Sequence, residues 1–159
     1  MGYISPKKAR GLNPLSIYTV GYEGASLVSL IDALKREGVA AVLDVRRDPW
    51  SRRPEFRKRA LEAALAAAGI AYRHEPRLGV PREIRERFRD GTDPEGFAAW
   101  YATEVLGGEG DLLRELSASV GSTPTALLCY EADPTRCHRS LLTLEFARLT
   151  GLPVHHLTP

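Results

Sequence analysis

The residues best suited to chemistry lie in one stretch, Asp133-Pro134-Thr135-Arg136-Cys137-His138-Arg139. Proline is favoured at the first helical position and an aspartate before it can cap free N–H groups. On that pattern a helix runs from Thr135 to Thr150, with Cys137 in its first turn. The dipole there favours a thiolate or a bound anion, and His138 and Arg139 add positive charge that lowers a thiol pKa. Cys137 is therefore a candidate nucleophile, with His138 and Arg139 as ligand-binding neighbours. The bland alternative is a capped helix whose Cys137 packs inward and whose Arg139 pairs with Asp44 or Glu131. Cys129, at the end of a buried strand, reads as a small core residue. A zinc site from Cys129, Cys137, His138 and His74 matches no finger or ribbon spacing, and neighbours on a helix point about 100° apart. No metal ligand is assigned on this basis.

A second constellation is spread along the chain. Gly21, Tyr22, Glu23 and Gly24 follow one apolar run, Asp44, Arg46 and Arg47 another, His74 a third, and Tyr130 and Glu131 a fourth. In the simplest topology Glu23 and Asp44 come from adjacent strand ends, where two carboxylates can divide into general acid and general base. Tyr22 can stack on a ring and Arg46, directly after a buried strand, points into the cleft. Gly21, His74, Glu131, His138 and Arg139 complete the expected ligand set. From Asp44 to Arg59 the cations Arg46, Arg47, Arg52, Arg53, Arg57, Lys58 and Arg59 are interleaved with Trp50 and Phe56, the mix used on single-stranded nucleic acid. A solvated basic loop is the plainer reading of the same residues.

The elements that must position these groups follow from hydrophobic periodicity. Ile17-Tyr18-Thr19-Val20 is β-rich, and Leu27, Leu30, Ile31 and Leu34 then repeat at helical spacing behind a Ser26 cap and ahead of Gly38. Val39 to Leu43 is a continuous apolar run of the kind buried in parallel sheets. An Ala-rich helix over about 57–68 ends at Gly69, and Ile70 to His74 forms a third strand. Between Pro76 and Ser119 the pattern is helical and interrupted, which predicts a helical insertion. Thr125 to Tyr130 is a fourth strand and Val154 to Leu157 a fifth. The whole predicts an α/β single-domain three-layer sandwich with a mostly parallel sheet, residues 1–15 forming a tail and 16–159 the domain. Ligands of such sheets lie beyond the strand C-termini, where the residues that follow the four apolar runs converge, with Arg52 and Arg53 at the periphery.

Composition bounds the rest. The 159 residues suit one domain with a proper core. No apolar run is long enough for a membrane span and the first residues lack a secretory h-region, so a cytoplasmic protein without a membrane partner is expected. Two cysteines cannot build a disulfide framework. The basic residues are 18 Arg and only 4 Lys, yet the net charge is +2, which predicts a mixed-charge cleft rather than a basic face.

Four segments carry a resemblance: Tyr18 to Gly24; Leu43-Asp44-Val45-Arg46 with Pro49 and Ser51; Gly69 to His74 with Leu78-Gly79; and Leu127 to Arg139. Together they resemble the uncharacterised domain-of-unknown-function family 488, over about Ile17 to Leu157. The resemblance implies a compact α/β domain and brings no agreed activity. Three functions compete. The first is a nucleotide- or phosphate-ligand-binding domain, in its enzymatic form a hydrolase or transferase of phosphorylated small molecules, with Glu23, Asp44 or Cys137 doing the chemistry. The second is a nucleic-acid binding module using the basic loop 46–59. The third is thiol or sulfur chemistry at Cys137, since a strand, Cys, loop, Arg and helix in that order are loosely similar to rhodanese-type sulfurtransferases and cysteine phosphatases. The loop departs from that pattern: it has no Gly-rich cradle, and Glu131 and Asp133 would repel an anion. Cofactor and oligomeric state are not specified by the sequence.

Overall fold

The computed structural model describes residues 15–159, so the expected 1–15 tail lies, but for Leu15, outside the described residues. The chain forms β1 (Ile17–Gly21), α1 (Leu27–Arg36), β2 (Ala41–Asp44), α2 (Lys58–Ala67), β3 (Ala71–His74), α3 (Arg82–Arg87), α4 (Pro94–Trp100), α5 (Gly110–Val120), β4 (Thr125–Cys129), α6 (Arg139–Thr150) and β5 (Val154–Leu157). The five strands make one parallel sheet in the order β3-β2-β4-β1-β5. The three-layer α/β expectation holds, with the helical insertion between β3 and β4. Ser26 caps α1 in a reciprocal capping box with Ser29, satisfying two free donors of the first turn. Gly38 and Gly69 stop α1 and α2 at φ of +71° and +76°, a region that strains a residue with a Cβ.

Strand alternation divides the core in two. Tyr18, Val20, Val42, Ala126 and Leu128 face α1 and α2, meeting Leu30, Leu34, Leu61 and Leu65. Ile17, Leu43, Val45, Leu127 and Cys129 face the other way, onto Leu112, Leu116, Leu142, Phe146 and the insertion residue Tyr101. Tyr101 opens a wider π-type turn, Tyr101–Leu106, and its hydroxyl donates to the Leu78 carbonyl at 2.7 Å. No helix among the described residues is long and apolar enough to cross a membrane.

Two expectations about local geometry are corrected. β1 and β2 are not neighbours, because β4 lies between them, so Glu23 and Asp44 do not come from adjacent strand ends. Cys137 is not in the first turn of a helix. Pro134–Arg136 forms a separate 3₁₀ turn capped by Asp133, Cys137 is extended (φ −134°, ψ 143°), and α6 begins only at Arg139. Asp133 accepts from the Thr135 backbone N–H and hydroxyl at 2.9 and 2.7 Å, which satisfies the tight turn and leaves no reason to continue it as an α-helix.

Candidate functional site

The residues expected at one cleft divide between the two faces of the sheet. On the α1/α2 face Asp44 is fully buried and Arg46 nearly so. Arg46 donates from Nε and Nη2 to Asp44 at 2.8 and 2.6 Å, and from Nη1 to the Tyr22 hydroxyl at 3.1 Å and the Phe56 carbonyl at 2.9 Å. Burial opposes the Arg46 charge, but the bonds to and charge of Asp44 hold its pKa above the ordinary arginine value. Tyr72 donates to the second Asp44 oxygen at 2.6 Å; burial, then the Asp44 charge, push its phenol well up. Tyr22 stacks on Phe56 with centroids 4.4 Å apart. Phe56 is completely buried, so it offers no stacking surface to a nucleic acid, whereas Trp50 is 63% exposed under the Arg57 guanidinium. Every nitrogen of Arg46 is thus committed within the fold. His74 also turns inward, its Nε2 2.8 Å from the Arg46 carbonyl.

A second group holds the loop after β4. Arg139 is 1% exposed and donates from its two Nη atoms to the carbonyls of Glu131 and Ala132 at 2.6 and 3.1 Å, while its Nε has no hydrogen-bond partner among the described residues. It pairs with neither Asp44 nor the Glu131 carboxylate. Glu23 accepts from the Ala132 N–H at 3.0 Å, across the end of β1. Gly21 lies so close beneath that a Cβ there would sit 1.7 Å from the Glu131 carbonyl oxygen. Three residues expected to touch a ligand therefore clamp one loop in place.

That loop carries the third group, on the α5/α6 face. Cys129 Sγ, Cys137 Sγ and His138 Nδ1 lie within 4.8 Å of one another, all buried. His138 Nδ1 is 4.0 Å from Cys129 Sγ and 3.8 Å from Cys137 Sγ, and its Nε2 is 3.0 Å from the Val45 carbonyl. Because a carbonyl only accepts, that contact places the proton on Nε2 and turns Nδ1 toward the two sulfurs. The Cys129 thiol lies 3.2 Å from Glu131 Oε2, and Tyr101 packs its ring 5.5 Å from that of His138. Hydrogen bonding from Cys137 and then the His138 charge bring Cys129 well below the usual thiol range, against the effect of burial. Burial, together with the Cys129 charge, raises Cys137 and Glu131. Burial opposes the charged form of His138, but the Cys129 thiolate outweighs it and raises the imidazole.

The helical objection to Cys137 and His138 acting together does not hold, because the 3₁₀ turn and the extended Cys137 aim adjacent side chains at one point. Cys129 belongs with them, not only to the core. Its signal was present: Leu127 and Cys129 share a strand face with Leu43 and Val45, the face that packs on α6. Tyr101 had no signal, since its approach to His138 depends on how the insertion folds back. What the arrangement offers is two thiols and one imidazole nitrogen, all buried, at a strand C-terminus.

No curated protein and no solved structure matches the chain. A family model does, over residues 26–144, well beyond half of the sequence, and its span includes the clamped loop, both cysteines and His138. The chain belongs to the family described as domain of unknown function DUF488.

Proposed function

We propose that the protein carries out two-cysteine thiol–disulfide chemistry on small sulfur compounds at Cys129, Cys137 and His138. The observation that carries this reading is that one imidazole nitrogen faces both sulfurs at hydrogen-bond range. The steps balance with that nitrogen as the only proton carrier. Cys129, as the thiolate, attacks a sulfur of a small-molecule disulfide; the S–S bond breaks and the departing thiolate takes the proton of the His138 imidazolium. Neutral His138 then takes the Cys137 proton, Cys137 attacks Cys129 Sγ, and the second thiolate leaves with that proton. The protein ends with a Cys129–Cys137 disulfide, oxidised by two electrons, and the substrate ends as two thiols. The sulfurs, already within 4.8 Å, close to the about 2.05 Å of a disulfide by side-chain rotation. Glu131 stands half-buried beside Cys129, and Gly21, Glu23 and Arg139 act as positioning residues for its loop.

A phosphate or nucleotide ligand draws on Arg46 and Arg139, and both guanidinium groups are engaged by the fold itself, so the thiol reading takes precedence. A nucleic-acid role for loop 46–59 keeps one supporting observation, the exposed Trp50 under Arg57.

The test is to incubate reduced, metal-free protein with glutathione disulfide and map the products. The expected result is a Cys129–Cys137 cross-link with a mass loss of two hydrogens. The reading is overturned if neither cysteine reacts in the folded protein while both react in denaturant.

A further inference from the structure

We propose that Cys129 Sγ, Cys137 Sγ and His138 Nδ1 form a binding site for a thiophilic divalent cation of the zinc class. The inference rests on the same convergence as the thiol reading but asks something different of it. Three ligand atoms from two separate segments, the end of β4 and the Cys137-His138 pair before α6, lie within 4.8 Å of one another. Zinc–sulfur bonds of about 2.3 Å and zinc–nitrogen bonds of about 2.0–2.1 Å at tetrahedral angles put sulfur about 3.6 Å from nitrogen. The two sulfur–nitrogen separations here are 3.8 and 4.0 Å, a few tenths of an ångström from that value, and the two sulfurs, within 4.8 Å of one another, close toward about 3.8 Å on an ion by side-chain rotation.

The surroundings match what such a ligand set requires. The imidazole of a metal-bound histidine is held by a hydrogen bond from its other nitrogen, and His138 Nε2 meets the Val45 carbonyl at 3.0 Å. Two thiolates and a divalent cation sum to zero charge, which suits a pocket where all three ligands are buried. Two sulfurs and an imidazole select zinc-class or copper-class ions over magnesium and calcium, which take oxygen ligands. Metal occupancy and disulfide formation exclude one another, because both use the same two sulfurs.

The experiment titrates reduced, metal-free full-length protein with Co²⁺. The site predicts one equivalent bound, with a near-ultraviolet thiolate-to-cobalt charge-transfer band and the strong visible bands of a tetrahedral ion. Zn²⁺ should displace it and Mg²⁺ should not. Zn²⁺ should also slow iodoacetamide labelling of both cysteines in wild-type protein, a readout that needs no variant, and raise the Tm with its concentration. Cys129→Ser and Cys137→Ser should each weaken Co²⁺ at least about tenfold, folding being followed by circular dichroism. A six-coordinate cobalt spectrum without charge transfer, together with labelling unchanged by Zn²⁺, overturns the metal site. If glutathione disulfide still cross-links the cysteines in that case, the thiol reading stands alone. A tetrahedral cobalt complex in a protein whose cysteines never cross-link removes the thiol reading and keeps the metal site.

Discussion

Replacing Arg46 with methionine keeps an unbranched apolar stem and removes the guanidinium. Asp44, completely buried, then loses its two charged bonds of 2.8 and 2.6 Å and keeps only the Tyr72 hydroxyl and the Arg46 backbone N–H. The Tyr22 hydroxyl and the Phe56 carbonyl lose their donor as well. Breaking a buried ion pair from one side costs about 3–5 kcal/mol, because the remaining charge is desolvated without its counterion. For a domain of this size that corresponds to a fall in Tm of about 6–20 °C. The double variant Asp44→Asn with Arg46→Met removes both charges of this pair, so it should recover at least about 1.5 kcal/mol relative to the sum of the single losses. Urea unfolding followed by circular dichroism measures all four corners of the cycle. A loss below about 1 kcal/mol for Arg46→Met, or strict additivity in the double variant, would refute the assignment of Arg46 to the fold and free it for a ligand.

Gly21→Ala drives a methyl group into the Glu131 carbonyl, and since the obstacle is backbone the loop must move; a loss of about 1–3 kcal/mol and faster alkylation of Cys129 are expected, measured by urea unfolding and timed labelling. Phe56→Ala removes a fully buried ring stacked on Tyr22 and should cost about 3–5 kcal/mol, whereas a surface stacking residue would cost almost nothing. Burial opposes ionisation of Glu75, but Arg77 and then Arg73 hold its carboxyl below the ordinary 4.5. A depressed folded value adds stability above the unfolded pKa that disappears as pH falls through the folded one, so Glu75→Gln should flatten the decline in stability below about pH 4.5. Unfolding curves taken between about pH 3 and 6 decide this. Oligonucleotide binding through loop 46–59, measured against salt, should fall steeply with ionic strength and weaken with Trp50→Ala if Trp50 and Arg57 form a docking surface; a flat salt response excludes it.

Much of the architecture could be read from local pattern. The apolar runs at Ile17, Ala41 and Thr125 are the three central strands, and Ser26, Gly38 and Gly69 mark the helix boundaries they were expected to mark. The segment Asp133 to Arg139 reads from its sequence as the start of one helix, whereas it forms a 3₁₀ turn, an extended Cys137 and then α6. A capped 3₁₀ turn and an α-helical first turn begin with the same Asp-Pro signal, and what separates them is where Cys137 and His138 must point. Gly21, Glu23 and Arg139 meet at the loop after β4 through contacts with Glu131 and Ala132, more than a hundred positions away from Gly21 and Glu23, and no local pattern shows such contacts.

The sequence by itself determined the repeating strand and helix units, the helical insertion, and the gathering of polar residues at the strand C-termini, because these follow from periodicity, caps and stops that act over a few residues. Only the tertiary structure decided that β4 enters between β1 and β2, which separates Glu23 from Asp44. It also decided that Cys129, Cys137 and His138 share a pocket. Strand order and side-chain convergence are set by long-range packing, in which the fold as a whole selects among local conformations of nearly equal energy.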